Sequence, residues 1–180
     1  ENLGFGNTTS AFGVSFVENI AGQEKLLMSN YMSEYGATVA WHLPPQASFD
    51  YETFDRSHEW TFAGGEAVQA SGSPEYFGTA SRVNPDEAVI AATASCHMLT
   101  FLSIAAKQRL RVLSYVDRPH GVVEKNAEGR FAITRINLRP KVVFEEDVDA
   151  AALAKLHESA HRNCFVANSL RSEVTVEPES

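Results

Sequence analysis

Basic residues are scarce in this chain. Fifteen Lys and Arg stand against 23 Asp and Glu, a formal net charge of −8, and they form no stripe. Nucleic acid is thereby excluded as a natural partner, because neutralising phosphates takes clustered cations. Cysteine is rarer still, with two residues in 180, Cys96 and Cys164. No signal-peptide pattern accompanies them, so a secreted disulfide framework is not expected. A reducing, cytoplasmic setting is expected instead, where a pair of thiols is free for redox or metal chemistry. Internal repeats and low-complexity tracts are missing too. One stretch alone, residues 88–106, runs without Asp, Glu, Lys or Arg far enough to raise a membrane-spanning helix. Its Thr, Ser, His and Cys among many alanines mark a buried helix, and no membrane partner is expected.

With 44% hydrophobic residues, the chain can build one compact core. A single α+β domain is expected over residues 32–180. Residues 1–31 are read as an added or flexible leader, with Met28 or Met32 as natural starts. Residues 34–43 alternate as a strand and end at Pro44 and Pro45. His58–Phe62 and Ala67–Ala70 flank Gly64 and Gly65 as a hairpin. After a Ser, Gly and Pro-rich loop at 71–83, Asn84, Pro85, Asp86 and Glu87 spell a helix start. Val89, Ala92, Cys96 and Leu99 then mark one helical face, and a helix so apolar all round reads as buried. Residues 109–125 and 130–144 alternate as two long antiparallel strands across the turn at 126–129. A second helix starts at Asp147 or Asp149 and runs through Ala160, with Cys164 at or just past its end, and Glu173–Val176 makes a last strand.

The chemistry centres on Cys96. Free cysteine is most often an inert buried hydrophobe, whereas a reactive one needs a lowered pKa and a partner thiol. Cys96 stands 12 residues beyond Asn84, about 18 Å of ideal helix, beyond the reach of the helix dipole. A cation from another segment must serve, and Arg56 and Arg82 are the candidates. Asp86 precedes Cys96 by 10 residues, about 15 Å of ideal helix, so the two cannot touch within one regular helix. First-turn capping is the plain role of Asp86 and Glu87. His97 lies about 100° round the helix from Cys96 and packs elsewhere. His157, Glu158 and His161 form H-E-x-x-H, the zinc-hydrolase pattern, with Cys164 as a third ligand, but no downstream ligand completes it. Trp41, Trp60, Phe62 and Tyr76 read as core and strand residues, an aromatic lining for an apolar substrate being the other use.

NPDEAVIAATASCHMLTFL resembles the central motif of the OsmC/Ohr family of thiol peroxidases, where an Asn-Pro-acidic opening leads to a helix bearing the peroxidatic cysteine. HRNCFVANSL resembles the family's second motif, in which the resolving cysteine precedes small residues. The likeness spans residues 34–178. It implies an OsmC-like fold, antiparallel sheets packed around two central helices, in an intertwined homodimer without a cofactor. It also implies an organic, or inorganic, hydroperoxide substrate and an external dithiol reductant. Cys96 would be oxidised to a sulfenic acid and Cys164 would resolve it to a disulfide. The family sets a Glu and an Arg about the reactive thiol. Asp86 takes the acidic position here, with Glu87 beside it. Arg56 in TFDRSHEW matches the Ohr-type arginine; Tyr76 stands where the OsmC-type one would be, and Arg82 is the second choice. Phe165 follows Cys164 where the family often has Pro. The rival readings are a zinc-dependent hydrolase and a non-catalytic redox-sensing or binding dimer.

Overall fold

The helix that opens at Asn84 is the axis of the fold. The computed structural model describes residues 32–179, so the leader expected at residues 1–31 lies outside the described residues. Asn84 is extended, and its side chain accepts from the Glu87 amide at 2.9 Å while the Glu87 carboxylate accepts from the Asn84 amide at 3.0 Å. This reciprocal pair, with Pro85 next, fixes the start of α1, Pro85–Lys107. At the other end Arg109 adopts φ +60°, and the Leu110 and Arg109 amides donate to Ala105 and Ala106. That is a Schellman closure with arginine in the place glycine usually takes.

Before α1 come β1 (Ala37–Ala40), β2 (His58–Phe62) and β3 (Ala67–Ala70), one sheet in that order. The β2–β3 hairpin pairs His58 with Ala70 and turns at Gly65, whose φ of +88° suits glycine. The loop from β3 to α1 folds tightly on itself. Gly78 donates to Ser73, Thr79 donates to the Ser71 hydroxyl, and a Cβ on Gly78 would lie 1.7 Å from the Gly72 carbonyl oxygen. Two backbones touch there, so Gly78→Ala is expected to lower the melting temperature by several degrees, as overpacking costs about 1–3 kcal/mol. An unchanged thermal melt would contradict the close approach.

After α1 the two long strands expected from alternation are each broken in two. β4 (Val112–Asp117) and β5 (His120–Lys125) part at Arg118 and Pro119; β6 (Phe131–Leu138) and β7 (Pro140–Phe144) part at Arg139 and Pro140. Proline has no amide hydrogen and holds the preceding residue extended, so a ladder cannot run straight through either corner. β4 pairs with β7 and β5 with β6, both antiparallel, while β8 (Glu173–Val176) adds to β6 in parallel. Helix α2, Ala150–Arg162, is capped by Asp149, whose carboxylate accepts from Ala152 at 2.8 Å. A short α3, Phe165–Ser169, begins at Cys164.

The corners let both sheets share α1. Phe101 and Ala105 pack with Leu156 and Ala160 of α2 and with Val112, Tyr115, Val142 and Phe144 of β4 and β7. Ala94 packs with Ile136 and Leu138 of β6 and with Val174 and Val176 of β8. These residues form the core, and they corrects one expectation by what they leave uncovered. Ala91, Ala92, Ser95 and Leu99 of α1 are exposed in the protomer, Leu99 to 58%. By length and composition α1 could cross a membrane, yet Thr93, Ala94, His97, Phe101 and Ala105 are buried against its own domain. The aromatic expectation shifts similarly. Phe62 and Tyr76 are exposed, and Trp41 joins Phe49 and Phe54 in an aromatic group outside the core.

Candidate active site

The two cysteines are brought together. Cys96 is half-buried on α1, and Cys164, fully buried, is the N-cap of α3. The Cys164 sulfur lies 3.9 Å from the Thr93 carbonyl oxygen, on the same helix as Cys96 and one turn before it. It also accepts from the Ala167 amide at 3.5 Å. Burial pushes the Cys164 thiol up to about 11, and hydrogen bonding with Cys96 pushes the same way, against the opposing Ala167 amide. Cys164 is therefore a protonated thiol at neutral pH. Both cysteines are free. The buried thiol faces the more exposed one, an asymmetry that suits one sulfur to meet solvent-borne oxidant first.

Arg56 sits elsewhere in the protomer. Its guanidinium donates to the Phe54 carbonyl at 2.9 Å and to the Tyr51 carbonyl, and it lies over the Phe54 ring at 4.0 Å and the Phe77 ring at 5.2 Å. Its stem passes Gly72, where a Cβ would lie 3.5 Å from it. Arg56 thus forms part of the wall of an open cavity of about 440 Å³ with Val39, Trp41, Phe49, Phe54 and Pro85. The lining is apolar apart from a single cation and His58, Ser71 and backbone. Pro85 is the first residue of α1, and Cys96 lies 11 residues on, about 16 Å of ideal helix. Arg82 donates to the Gln69 side chain on β3 at 2.7 Å. Glu87 is occupied by the cap; Asp86 is exposed and makes no hydrogen bond or ion pair among the described residues. Of the five residues expected at the site, one protomer unites Cys96 with Cys164 and leaves Arg56, Asp86 and Glu87 toward the start of α1.

The H-E-x-x-H run is not arranged as a metal centre among the described residues. Glu158 is exposed and pairs with Arg162 at 2.7 Å, while His157 turns inward to His97. Among the described residues no three His, Cys, Asp or Glu are grouped to hold a metal. The zinc reading loses its general base because Glu158 is exposed and held by Arg162 while His157, about 100° round the helix, is buried against His97. The His97–His157 contact is the feature that sequence reasoning missed. Its signal was present, since His157 falls with Leu153, Leu156 and Ala160 on the buried face of α2.

Burial lowers both histidines to about 4, with His157 and then His161 adding to the effect on His97. The unfolded chain takes up these protons near 6.5 and the folded chain only near 4. Stability contributed by the neutral pair is thus full above pH 6.5 and is lost as pH falls toward 4, by a few kcal/mol in all. Calorimetry across that window is expected to show a falling melting temperature, with a shallower fall in a His97→Leu/His157→Leu double variant. Equal slopes would contradict the buried neutral pair.

A thiol on a central helix, a second thiol capping α3 beside that helix, and an α+β scaffold of small sheets define a class of dithiol protein. A sequence model described as OsmC-like protein matches residues 78–179. The chain belongs to the OsmC-like family. It is 43% identical to an OsmC-like protein of unknown function from Vibrio cholerae, whose solved structure superposes with a TM-score of 0.78 over 82% of this chain and 100% of that one. An uncharacterized Bacillus subtilis protein, YmaD, is 25% identical over 130 residues, 70% of this chain and 86% of the relative. The organic hydroperoxide resistance protein OhrB of Bacillus subtilis shares the fold at 17% identity, with a TM-score of 0.59 over 82% of this chain and 98% of that one.

Proposed function

We propose that this protein is a cytoplasmic two-cysteine peroxidase that reduces organic hydroperoxides to alcohols. One observation carries the reading: the buried Cys164 sulfur lies 3.9 Å from the Thr93 carbonyl oxygen, one turn before Cys96 on the central helix of an OsmC-like fold, near enough for Cys96 to raise its pKa. The Cys96 thiolate attacks the O–O bond, the alkoxide leaves as the alcohol after taking a proton, and Cys96 becomes a sulfenic acid. Cys164 then attacks that sulfur. Its proton leaves with the displaced hydroxide as water, and a Cys96–Cys164 disulfide remains. An external dithiol restores both thiols by exchange and is itself oxidised to a disulfide.

Burying the Cys164 thiol delays its reaction until the sulfenic acid forms beside it. The homodimer belongs to the same proposal. Ala91, Ala92, Ser95 and Leu99 leave an apolar strip on the cysteine helix that a second copy would cover, shielding Cys96 from bulk water. A partner laid on that strip would also bring further side chains to Cys96. Within one protomer the Arg56 cavity meets α1 at Pro85, about 16 Å of helix from Cys96, so its apolar wall and single positive charge would hold the carbon body of an organic hydroperoxide only where the second copy brings its own cavity to that thiol. Steady-state assay with cumene hydroperoxide and a dithiol tests the proposal: one alcohol should appear for each dithiol oxidised. Disulfide formation without continued turnover would instead favour a redox-sensing dimer.

A further inference from the structure

Two histidines that the peroxide chemistry leaves unused are joined across the core. His97 Nε2 and His157 Nδ1 lie 3.1 Å apart, and both residues are buried. Their ring planes agree within 5° at a centroid separation of 5.5 Å. That separation exceeds the N···N distance by about two ring radii, so the rings meet edge to edge in one plane, the geometry of an N–H···N hydrogen bond and not of a face-to-face stack. Phe101 covers the His157 ring at 4.5 Å. The outer nitrogens, His97 Nδ1 and His157 Nε2, have no hydrogen-bond partner among the described residues.

A buried polar pair with two unsatisfied ends is a poor source of stability, and a pair of leucines would pack the same space at lower cost. What the bond supplies is geometry. Apolar contacts between helices can slide, whereas an N–H···N bond tolerates little change of distance or direction. Its place in the chain matters for that reason. His97 follows Cys96 on α1, and His157 precedes Cys164 by seven residues. His157 meets His97 and Phe101, while Cys164 meets Thr93 and Cys96, so the chain from His157 to Cys164 runs back along α1 against its direction.

We propose that the His97–His157 hydrogen bond is a strut that fixes the register of α2 on α1 and thereby holds Cys164 within bonding reach of Cys96. Both histidines are positioning residues for disulfide closure. The strut rests on the dithiol reading above, but its test needs no peroxide.

The test is the effective concentration of the two thiols toward each other, read by equilibrating the protein with reduced and oxidised glutathione and trapping free thiols. His157→Phe and His97→Leu keep the bulk and lose the bond, and each is expected to lower the effective concentration at least about tenfold, about 30 mV for a two-electron couple. His157→Asn places an amide where Nδ1 stands and should restore most of the loss, whereas His157→Gln, reaching toward the Nε2 position, should not. If His157→Phe, folded by circular dichroism, matches wild type, the strut is wrong. Should that variant fail to fold, the comparison of Asn with Gln at position 157 decides, and equal values overturn the proposal. A wild-type protein that shows this pattern yet consumes no hydroperoxide would sink the peroxidase reading and leave the strut standing. Turnover with no difference among the variants would do the reverse.

Discussion

Cys96→Ser is expected to end hydroperoxide turnover, with a loss of at least about a thousandfold in kcat/KM and no loss of fold. A serine hydroxyl ionises far above any working pH, and oxygen cannot pass through the sulfenic acid on which the cycle depends. The substitution is nearly isosteric at a half-buried site on the face of a capped helix, so the melting temperature should move little. Thiol counting sharpens the result. The variant keeps Cys164 reduced under hydroperoxide because a buried thiol, raised to about 11, presents almost no thiolate to solvent. Wild-type rates in Cys96→Ser would remove the peroxidase reading altogether.

Cys164→Ser should separate the two halves of the cycle. The first turnover survives, since Cys96 alone meets the peroxide, and a sulfenic acid accumulates that a dimedone-type reagent can trap. Without the resolving sulfur no disulfide forms. Steady-state turnover driven by a dithiol is expected to fall on the order of a hundredfold, as the external thiol must attack the sulfenic acid directly. Excess peroxide should then carry Cys96 on to the sulfinic acid, which dithiols do not reverse. Undiminished cycling in this variant would mean that Cys164 is only the buried cap of α3.

How far the chain could be read in advance depended on how local each determinant is. The start of α1 was legible because Asn84, Pro85 and Glu87 make their contacts within one turn. The Asp149 cap and the hairpin about Gly65 were legible for the same reason. The corners at Pro119 and Pro140 were missed, although both prolines were in view, because alternation continues on either side and hides the break. Composition presented α1 as buried all round; it cannot say whether apolar surface is covered by the same chain or by a second copy, and Leu99 is left bare.

The site shows the same division. H-E-x-x-H suggested zinc because the motif is local, whereas the true partner of His157 is His97, 60 residues away and set by the packing of two helices. The meeting of Cys96 with Cys164 is equally non-local. Helical periodicity placed each sulfur on its element, and only the resemblance to the OsmC/Ohr motifs brought the two into one reaction. Arg56 was named with Arg82 as a cation from another segment, and the resemblance then preferred it. The fold gives it a wall of an aromatic cavity near the start of α1, with its donors on the Phe54 and Tyr51 carbonyls.

Peptide mapping of the wild-type protein after one equivalent of cumene hydroperoxide tests the central claim most directly. A single product is expected, in which the peptides containing Cys96 and Cys164 are joined by a disulfide within one chain, with the alcohol released in equal amount and both thiols recovered on adding a dithiol. Oxidised Cys96 beside a free Cys164, or no oxidation of either, would contradict it.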